Sequence, residues 1–248
     1  MKKSVTMDDG VQFGLGAFET IAVEQGKGIL LSRHLARLDR AARFLGLGEL
    51  TERGLTMEYA ADWIGENCPG HSACKILLTQ ENLVMRLRPN PYGAERYQLG
   101  FRMDFSAVRR NETSPLTGHK TLNYGDCILE HRAAAAAGMD ERIFLNTRGM
   151  LTEGTVSNLF LVSGGRIYTP ALSCGLLPGV LRSYILERYR VEEGEIDPRE
   201  LESFDECFVT NSLMGVMPVA QLGERTFPSR ETADRLRAAY EAEKGTLK

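Results

Sequence analysis

Lys120 is the residue of this chain that is best placed for covalent chemistry. It lies in the polar and partly apolar stretch 119–125, directly before a helical run over residues 126–137. Most lysines are solvated surface charges, but Leu122 and Tyr124 give this one partly apolar neighbours. A partly desolvated lysine loses its proton more easily and then acts as a nucleophile and a base.

An isolated acid and a helix that opens on glycine follow Lys120 along the chain. Glu153 precedes an apolar strand predicted over residues 158–163, which favours a fixed partner over a solvated turn acid. Gly179 opens a predicted helix, and the first N–H groups of a helix have no partner within it. The helix dipole helps these groups, here those of Val180 and Leu181, to bind an anion.

A lysine, an acid and an anion-binding helix start together suit pyridoxal 5'-phosphate (PLP). The lysine would form the Schiff base, the acid would keep the pyridine nitrogen protonated, and the helix start would take the phosphate. Arg37, on a predicted amphipathic helix, could add charge to the phosphate site, although a flanking arginine that reaches solvent is the alternative. Further hydroxyl and amide groups that could support the cofactor come from Ser157, Asn158, Asn211 and Ser212.

Two arginines could bind the substrate. Arg86 and Arg88 alternate along a predicted strand and therefore share one face. Two guanidinium groups on one face could bind substrate carboxylates, whereas a solvated strand face is the alternative.

The composition restricts the class of protein. The chain has 248 residues, of which 43% are hydrophobic and 25% charged, as in soluble globular proteins. A formal charge of −3 gives no general affinity for nucleic acid or an anionic membrane. The N-terminus lacks the apolar core of a signal peptide and no run of about 18 apolar residues occurs, so we expect a cytoplasmic protein. The five cysteines and four histidines lack metal-ligand spacing, and no metal is expected.

The order of elements predicts an α+β protein with two domains. We expect a smaller N-terminal domain over residues 1–106, a polar linker over 107–118 and a larger C-terminal domain over 119–248, with a cofactor in the cleft between them. Ser32 is predicted to cap the helix that carries Arg37. Predicted strands include 74–79, 83–88, 97–103, 142–146, 206–211 and 216–221.

Five segments in order resemble the class IV aminotransferase family, the fold-type IV PLP enzymes. They are residues 13–20, 34–38, 120–123, 152–160 and 179–182. The resemblance implies a two-domain fold like that of D-amino-acid aminotransferase and a homodimer that acts on a small amine bearing a carboxylate. It also implies a Schiff base on Lys120, a phosphate contact from Arg37 and a pyridine-nitrogen contact from Glu153.

Within the family, residues 211–219 resemble the 4-amino-4-deoxychorismate lyases, which form 4-aminobenzoate and pyruvate for folate biosynthesis. We expect Leu213, Met214 and Met217 to bring apolar bulk near the phosphate side of the cofactor. Gln80 stands where these lyases commonly carry an arginine. An aminotransferase acting on branched-chain or D-amino acids is the alternative enzyme, and a catalytically silent metabolite-binding homologue is the alternative of another class.

Overall fold

A computed structural model describes residues 4–247 of the chain. The described chain divides into two compact units. The first contains the residues up to Pro91 together with His119–Tyr124 and the C-terminal end from Glu243 onwards. The second contains Tyr92–Gly118 and Gly125–Ala242. No helix among residues 4–247 is long and apolar enough to cross a membrane.

Among the described residues, the first unit combines a four-stranded antiparallel sheet with three α-helices. Its elements are α1 (Asp9–Phe13), β1 (Ala17–Glu24), β2 (Lys27–Gly28), α2 (Leu31–Phe44), α3 (Met57–Asn67), β3 (Ser72–Leu78) and β4 (Leu83–Pro89). The strands are ordered β2-β1-β3-β4.

Alternate residues of these strands share a hydrophobic core with α2 and α3. The core contains Ala17, Ile21, Val23, Cys74, Ile76, Leu78 and Met85 from the sheet, with Leu35, Leu38, Ala42, Ala60 and Ile64 from the helices. Because side chains alternate across a strand, the remaining residues of β1, β3 and β4 occupy the opposite face. That face includes Phe18, Lys75 and Arg86.

The second unit is built on a nine-stranded mixed sheet. Its elements are α4 (Ala94–Leu99), β5 (Phe101–Arg110), α5 (Gly125–Ala136), β6 (Glu141–Asn146), β7 (Leu151–Gly154), β8 (Asn158–Ser163), β9 (Arg166–Pro170), α6 (Val180–Arg188), β10 (Val191–Gly194), β11 (Glu206–Asn211), β12 (Gly215–Leu222), β13 (Arg225–Thr226) and α7 (Glu231–Glu243). The order is β10-β9-β8-β11-β12-β5-β6-β7, and β13 pairs with β12. Because β7 also pairs with β8, the path from β8 to β7 closes on itself.

The structure divides the chain at other places than the predicted 106 and 119 boundaries. Residues 92–118 belong to the second unit, and the predicted linker begins inside β5, which ends at Arg110. The stretch 119–124, predicted to open the C-terminal domain, belongs to the first unit because it pairs with β1.

Two local predictions are wrong. Residues 97–103, predicted as a strand, hold the end of α4 and the start of β5. Ser32 does not cap α2, because the helix begins at Leu31 and its cap residue is Leu30 in the left-handed region, at φ 54°.

Candidate active site

The Lys120 segment is held along the edge of β1. The N–H of Phe18 donates to the carbonyl of Lys120 at 3.0 Å, and the N–H of Leu122 donates to the carbonyl of Gly16 at 2.8 Å. An isolated antiparallel bridge joins Ala17 and Thr121 between these two bonds. Lys120 is therefore fixed by backbone pairing rather than carried by a free loop.

Two aromatic rings bracket the Lys120 ammonium. Its Nζ lies 4.5 Å from the ring centroid of Phe18 and 4.8 Å from that of Tyr124. The two rings meet edge to face, with centroids 5.1 Å apart. Cation–π attraction on a half-buried amine restricts its position. On the other side of the segment, His119 stacks on Phe44 with centroids 4.0 Å apart.

A second lysine lies against the same ring. Lys75 Nζ is 4.6 Å from the centroid of Phe18, and Lys75 pairs with Arg86 across β3 and β4. Burial, followed by the charges of Arg88 and Arg86, lowers the pKa of Lys75. Lys75 was not predicted from the sequence, because only the register of β3 with β4 shows that it lies opposite Arg86 on the same face.

Arg86 and Arg88 do share one face, as predicted. Arg88 pairs with Ala73, two residues from Lys75 on β3, and both arginines are exposed. Three cationic side chains therefore lie on one face of the sheet, next to Phe18.

Arg37 lies in a buried charged cluster. Its Nε donates to Glu19 Oε1 at 2.6 Å and its Nη2 donates to Glu19 Oε2 at 2.7 Å. His34 Nδ1 lies 2.7 Å from Glu19 Oε2. Burial by itself would raise the pKa of the Glu19 carboxyl, but the charges of Arg37 and His34 hold that pKa well below its usual range. The buried Glu19 carboxylate thus fixes the orientation of the Arg37 guanidinium, and an arginine that binds an anion needs a fixed orientation.

Glu153 is held from two sides in the second unit. It is 4% exposed, and its Oε1 accepts from the guanidinium of Arg110. Its Oε2 accepts from the N–H of Leu177 at 3.0 Å. Arg110 also lies over the ring of Phe144, at 5.0 Å. Arg110 lies at the end of β5 and not in the predicted linker, so this pair was not predicted from the sequence.

The backbone of Leu177 connects Glu153 to the segment that leads into α6. Asn158, which pairs with Glu153 across β7 and β8, donates from Nδ2 to the carbonyl of Leu177 at 2.9 Å. Glu153 and Asn158 thus bind the N–H and the carbonyl of one residue, Leu177, just before the helix. Val180 and Leu181, predicted to bind phosphate, are the first two residues of α6.

The remaining predicted contacts have structural partners. Ser157 donates to Glu141 Oε2 at 2.9 Å. Asn211 Oδ1 accepts from the N–H groups of Leu213 and Met214, both at 2.9 Å. Ser212 is half-buried in the turn that Asn211 stabilises. Whether these three residues contact a cofactor stays a prediction.

Met214 and Met217 do not present apolar bulk as expected. Both are buried in the core of the second unit, with Leu159, Val209 and Val219. Among the three apolar residues singled out in this segment, Leu213 alone is partly exposed.

Two observations in the second unit fit PLP. The hydroxyl of Thr210 is buried without a hydrogen-bond partner among the described residues, and Thr210 pairs with Asn158 across β11 and β8. A Cβ on Gly179 would lie 1.9 Å from Asn158 Oδ1, so only glycine allows this approach to α6. The Thr210 hydroxyl and the start of α6 supply donors that a phosphate requires. The fixed carboxylate of Glu153 supplies the acceptor that a pyridinium nitrogen requires.

Comparison with known proteins decides the family. The sequence matches the family described as Amino-transferase class IV over residues 16–222. The chain belongs to this family. Its members use PLP, and the chain is a PLP-dependent enzyme; the alternative of a catalytically silent homologue has no support in these matches.

Individual relatives differ in activity. The aminodeoxychorismate lyase of Bacillus subtilis (strain 168) is 26% identical over 95% of this chain and 88% of its own. The D-alanine aminotransferase of Bacillus licheniformis is 25% identical over 90% of this chain and 84% of its own. The crystal structure of 4-amino-4-deoxychorismate lyase from Pseudomonas aeruginosa has a TM-score of 0.85 at 28% identity, covering 98% of this chain and 96% of that one. The predicted α+β, fold-type IV architecture of class IV aminotransferases is thereby confirmed.

Replacing Arg37 should weaken the binding of PLP. A lone Arg37→Met variant would leave the buried Glu19 with His34 as its remaining side-chain partner, and breaking such a buried ion pair costs about 3–5 kcal/mol of folding stability. We therefore expect the double variant Arg37→Met with Glu19→Gln to fold, and to bind PLP more weakly by about 1.5–3 kcal/mol, one charge-assisted contact. Equilibrium dialysis of the apoprotein measures this affinity.

The control for this prediction is Arg40→Met, on the exposed side of α2. It should bind PLP like the parent. Equal PLP affinity of the double variant and the parent would show that Arg37 serves the fold alone.

Proposed function

We propose that this enzyme is a 4-amino-4-deoxychorismate lyase that forms 4-aminobenzoate and pyruvate. The observation that carries the proposal is the cationic face of the first unit, formed by Lys75, Arg86 and Arg88. Because each product carries one carboxylate, the lyase substrate carries two. Three cations on one face match such a dicarboxylate better than a branched-chain or alanine-like amino acid, which offers one carboxylate; the 2-oxoglutarate of a transaminase also carries two, so product analysis separates the two reactions.

In the first unit the proposed functional residues are Lys120 and Arg37, and in the second unit they are Glu153 and the start of α6. When bound, PLP supplies an electron sink for the charge that develops on the amine-bearing carbon. Lys120 Nζ takes the proton from that carbon and later gives a proton to the departing pyruvate fragment. Glu153, oriented by Arg110 and Leu177, holds the proton on the pyridine nitrogen.

Lys75 and the two arginines orient the substrate. Each guanidinium can bind a carboxylate through two parallel N–H groups, whereas the Lys75 ammonium acts as a point charge. Lys75 lies 4.6 Å from the ring centroid of Phe18, the same ring that Lys120 contacts. A carboxylate bound by Lys75 would therefore place the substrate close to the reacting amine.

An aminotransferase is the second candidate, and one observation favours it. Met214 and Met217 are buried in the core, so the bulk expected to select a flat ring is reduced to Leu213. Incubation with aminodeoxychorismate, and separately with L- and D-amino acids plus 2-oxoglutarate, separates the two. The proposal predicts 4-aminobenzoate from the first mixture. If the second mixture gives glutamate with a kcat/KM ten times that of the lyase reaction, the enzyme is an aminotransferase.

Substitutions on the cationic face should raise KM without loss of cofactor. We expect Arg86→Ala, Arg88→Ala or Lys75→Met to lower kcat/KM for the lyase substrate, with about 1.5–3 kcal/mol lost for a direct carboxylate contact. The absorbance of bound PLP should be unchanged in each variant. Steady-state kinetics with matched spectra is the measurement.

Arg166→Ala, in β9 of the second unit, is the control, since it is an exposed strand arginine outside this face. Parent-like kinetics in all three variants and in the Arg86/Arg88 double variant would show a merely solvated face. The homodimer stays a prediction, which analytical ultracentrifugation of the purified protein tests directly.

A further inference from the structure

A buried carboxyl lies inside the turn that joins β7 to β8. Glu141, the first residue of β6, is 1% exposed. Its Oε1 accepts from the N–H of Val156 at 2.7 Å and from Thr155 Oγ1 at 3.3 Å. Its Oε2 accepts from Ser157 Oγ at 2.9 Å. One carboxyl therefore holds three consecutive residues of the turn.

The same turn carries the acid and the amide of the active site at its two ends. Glu153 precedes it and Asn158 follows it, and these two residues pair across the strands. A Cβ on Gly154 would lie 2.3 Å from Glu141 Oε1, so the carboxyl occupies the space that a side chain at this position would need. The packing of Glu141 against the turn thus fixes the positions of Glu153 and Asn158.

Three further contacts hold the turn from neighbouring elements, at distances between 3.1 and 3.3 Å. The N–H of Thr155 donates to the carbonyl of Arg142 at 3.1 Å, and Asn211 Nδ2 donates to the carbonyl of Val156 at 3.3 Å. His131 Nδ1 lies 3.2 Å from Thr155 Oγ1. None of these contacts involves the Ser157 hydroxyl or the N–H of Val156, which Glu141 binds.

Among residues 4–247, no cationic side chain pairs with the carboxyl of Glu141. Burial raises the pKa of Glu141 to about 7; the hydrogen bonds from Val156, Ser157 and Thr155 lower it, and the charge of Glu153 raises it. On the neighbouring elements, Arg142 Nη1 donates to Glu130 at 2.9 Å and Arg110 pairs with Glu153. Asp140, the preceding residue, pairs with Arg96.

We propose that Glu141 is a positioning residue of the active site, which sets the turn 154–157 and so the places of Glu153 and Asn158, and whose ionisation changes the hold on the cofactor. The proposal rests on the proposed PLP site. Ionised, Glu141 accepts all three hydrogen bonds and puts a second negative charge near Glu153, which favours a proton on the pyridine nitrogen. When the Glu141 carboxyl is protonated, it has less capacity to accept hydrogen bonds and no longer carries the negative charge.

The test compares the affinity of the apoprotein for PLP in the parent and in Glu141→Gln between pH 6 and pH 8. Titration of the cofactor's own phosphate affects both proteins equally, so the ratio of the two Kd values isolates Glu141. We expect the Kd of Glu141→Gln to be close to that of the parent at pH 6 and roughly tenfold higher at pH 8. A ratio that is the same at both pH values would overturn the proposal.

Glu206→Gln is the matched control. Glu206 is a buried acid of the same unit, and its carboxylate binds the N–H groups of Thr232 and Ala233 at the start of α7, away from the turn. This variant should show the pH dependence of the parent, and the same change as in Glu141→Gln would assign the effect to general destabilisation. If the parent does not bind PLP, the proposed function fails together with this proposal, whereas binding with a constant ratio contradicts the positioning role alone.

A stability measurement on the apoprotein gives a second readout without cofactor. The folded-state pKa of Glu141, about 7, lies above the ordinary 4.5. The folded protein therefore binds more protons than the unfolded chain between these values, and stability falls as pH rises through that window. Glu141→Gln should remove this fall. Should that variant not fold, Glu141→Asp, which keeps the charge but not the reach, should bind PLP more weakly at every pH and retain the pH dependence; parent-like affinity would count against the proposal.

Discussion

Replacing Lys120 with alanine is expected to abolish activity and the visible absorbance of bound PLP. The same amine would hold the cofactor and move the proton, and one positioned base contributes about 10²–10⁴-fold by itself. Together with the lost anchor, we expect kcat/KM to fall by at least roughly 10⁴-fold. Spectra of the purified variant and its turnover of aminodeoxychorismate measure both effects.

Lys75→Met is the control, because Lys75 contacts the same Phe18 ring at nearly the same distance as Lys120. It should keep the absorbance and change mainly KM. If Lys120→Ala retains the visible absorbance of bound PLP and Lys75→Met loses it, then Lys75 is the lysine that holds the cofactor and Lys120 is not.

Replacing Glu153 with glutamine is expected to keep PLP bound and to slow turnover by about two to four orders of magnitude. The amide oxygen of glutamine can still accept from the N–H of Leu177, so the start of α6 should stay in place. The neutral amide no longer stabilises a proton on the pyridine nitrogen, so the electron sink is lost. Stopped-flow or steady-state kcat, beside the Kd for PLP, measures the change.

Glu193→Gln serves as control, since Glu193 pairs with Arg182 in the same unit, outside the contacts of Glu153. It should turn over like the parent. Parent-like kcat in Glu153→Gln would remove the electron-sink role from Glu153.

Much of the secondary structure follows from local patterns. The apolar stretch of β8 and the strand Glu206–Asn211 are found at the predicted bounds, and α5 and α6 begin or end within one residue of prediction. Such runs are decided by neighbouring residues. The strand prediction over 97–103 is wrong because the short helix α4 and Gly100, at φ 73°, divide this segment without a strong sequence signal.

What the sequence could not supply is long-range pairing. Lys120 bonds to Phe18 and Leu122 bonds to Gly16, in each case more than 100 residues earlier, and no local pattern predicts these contacts. The polar residues around Arg110 predict a linker, whereas the structure shows Arg110 at the end of β5, paired with Glu153. The buried roles of Glu19 and Glu141 are also hidden, since an acid in a sequence carries no sign of its burial.

Reduction of the PLP-loaded protein with borohydride, followed by peptide mapping, tests the central claim most directly. Borohydride fixes the cofactor on the lysine that holds it. We predict the pyridoxyl group on Lys120 and none on Lys75, although both amines lie within 5 Å of the centroid of Phe18. A label on Lys75 or on any other lysine would contradict the assignment of Lys120 and the active site built on it.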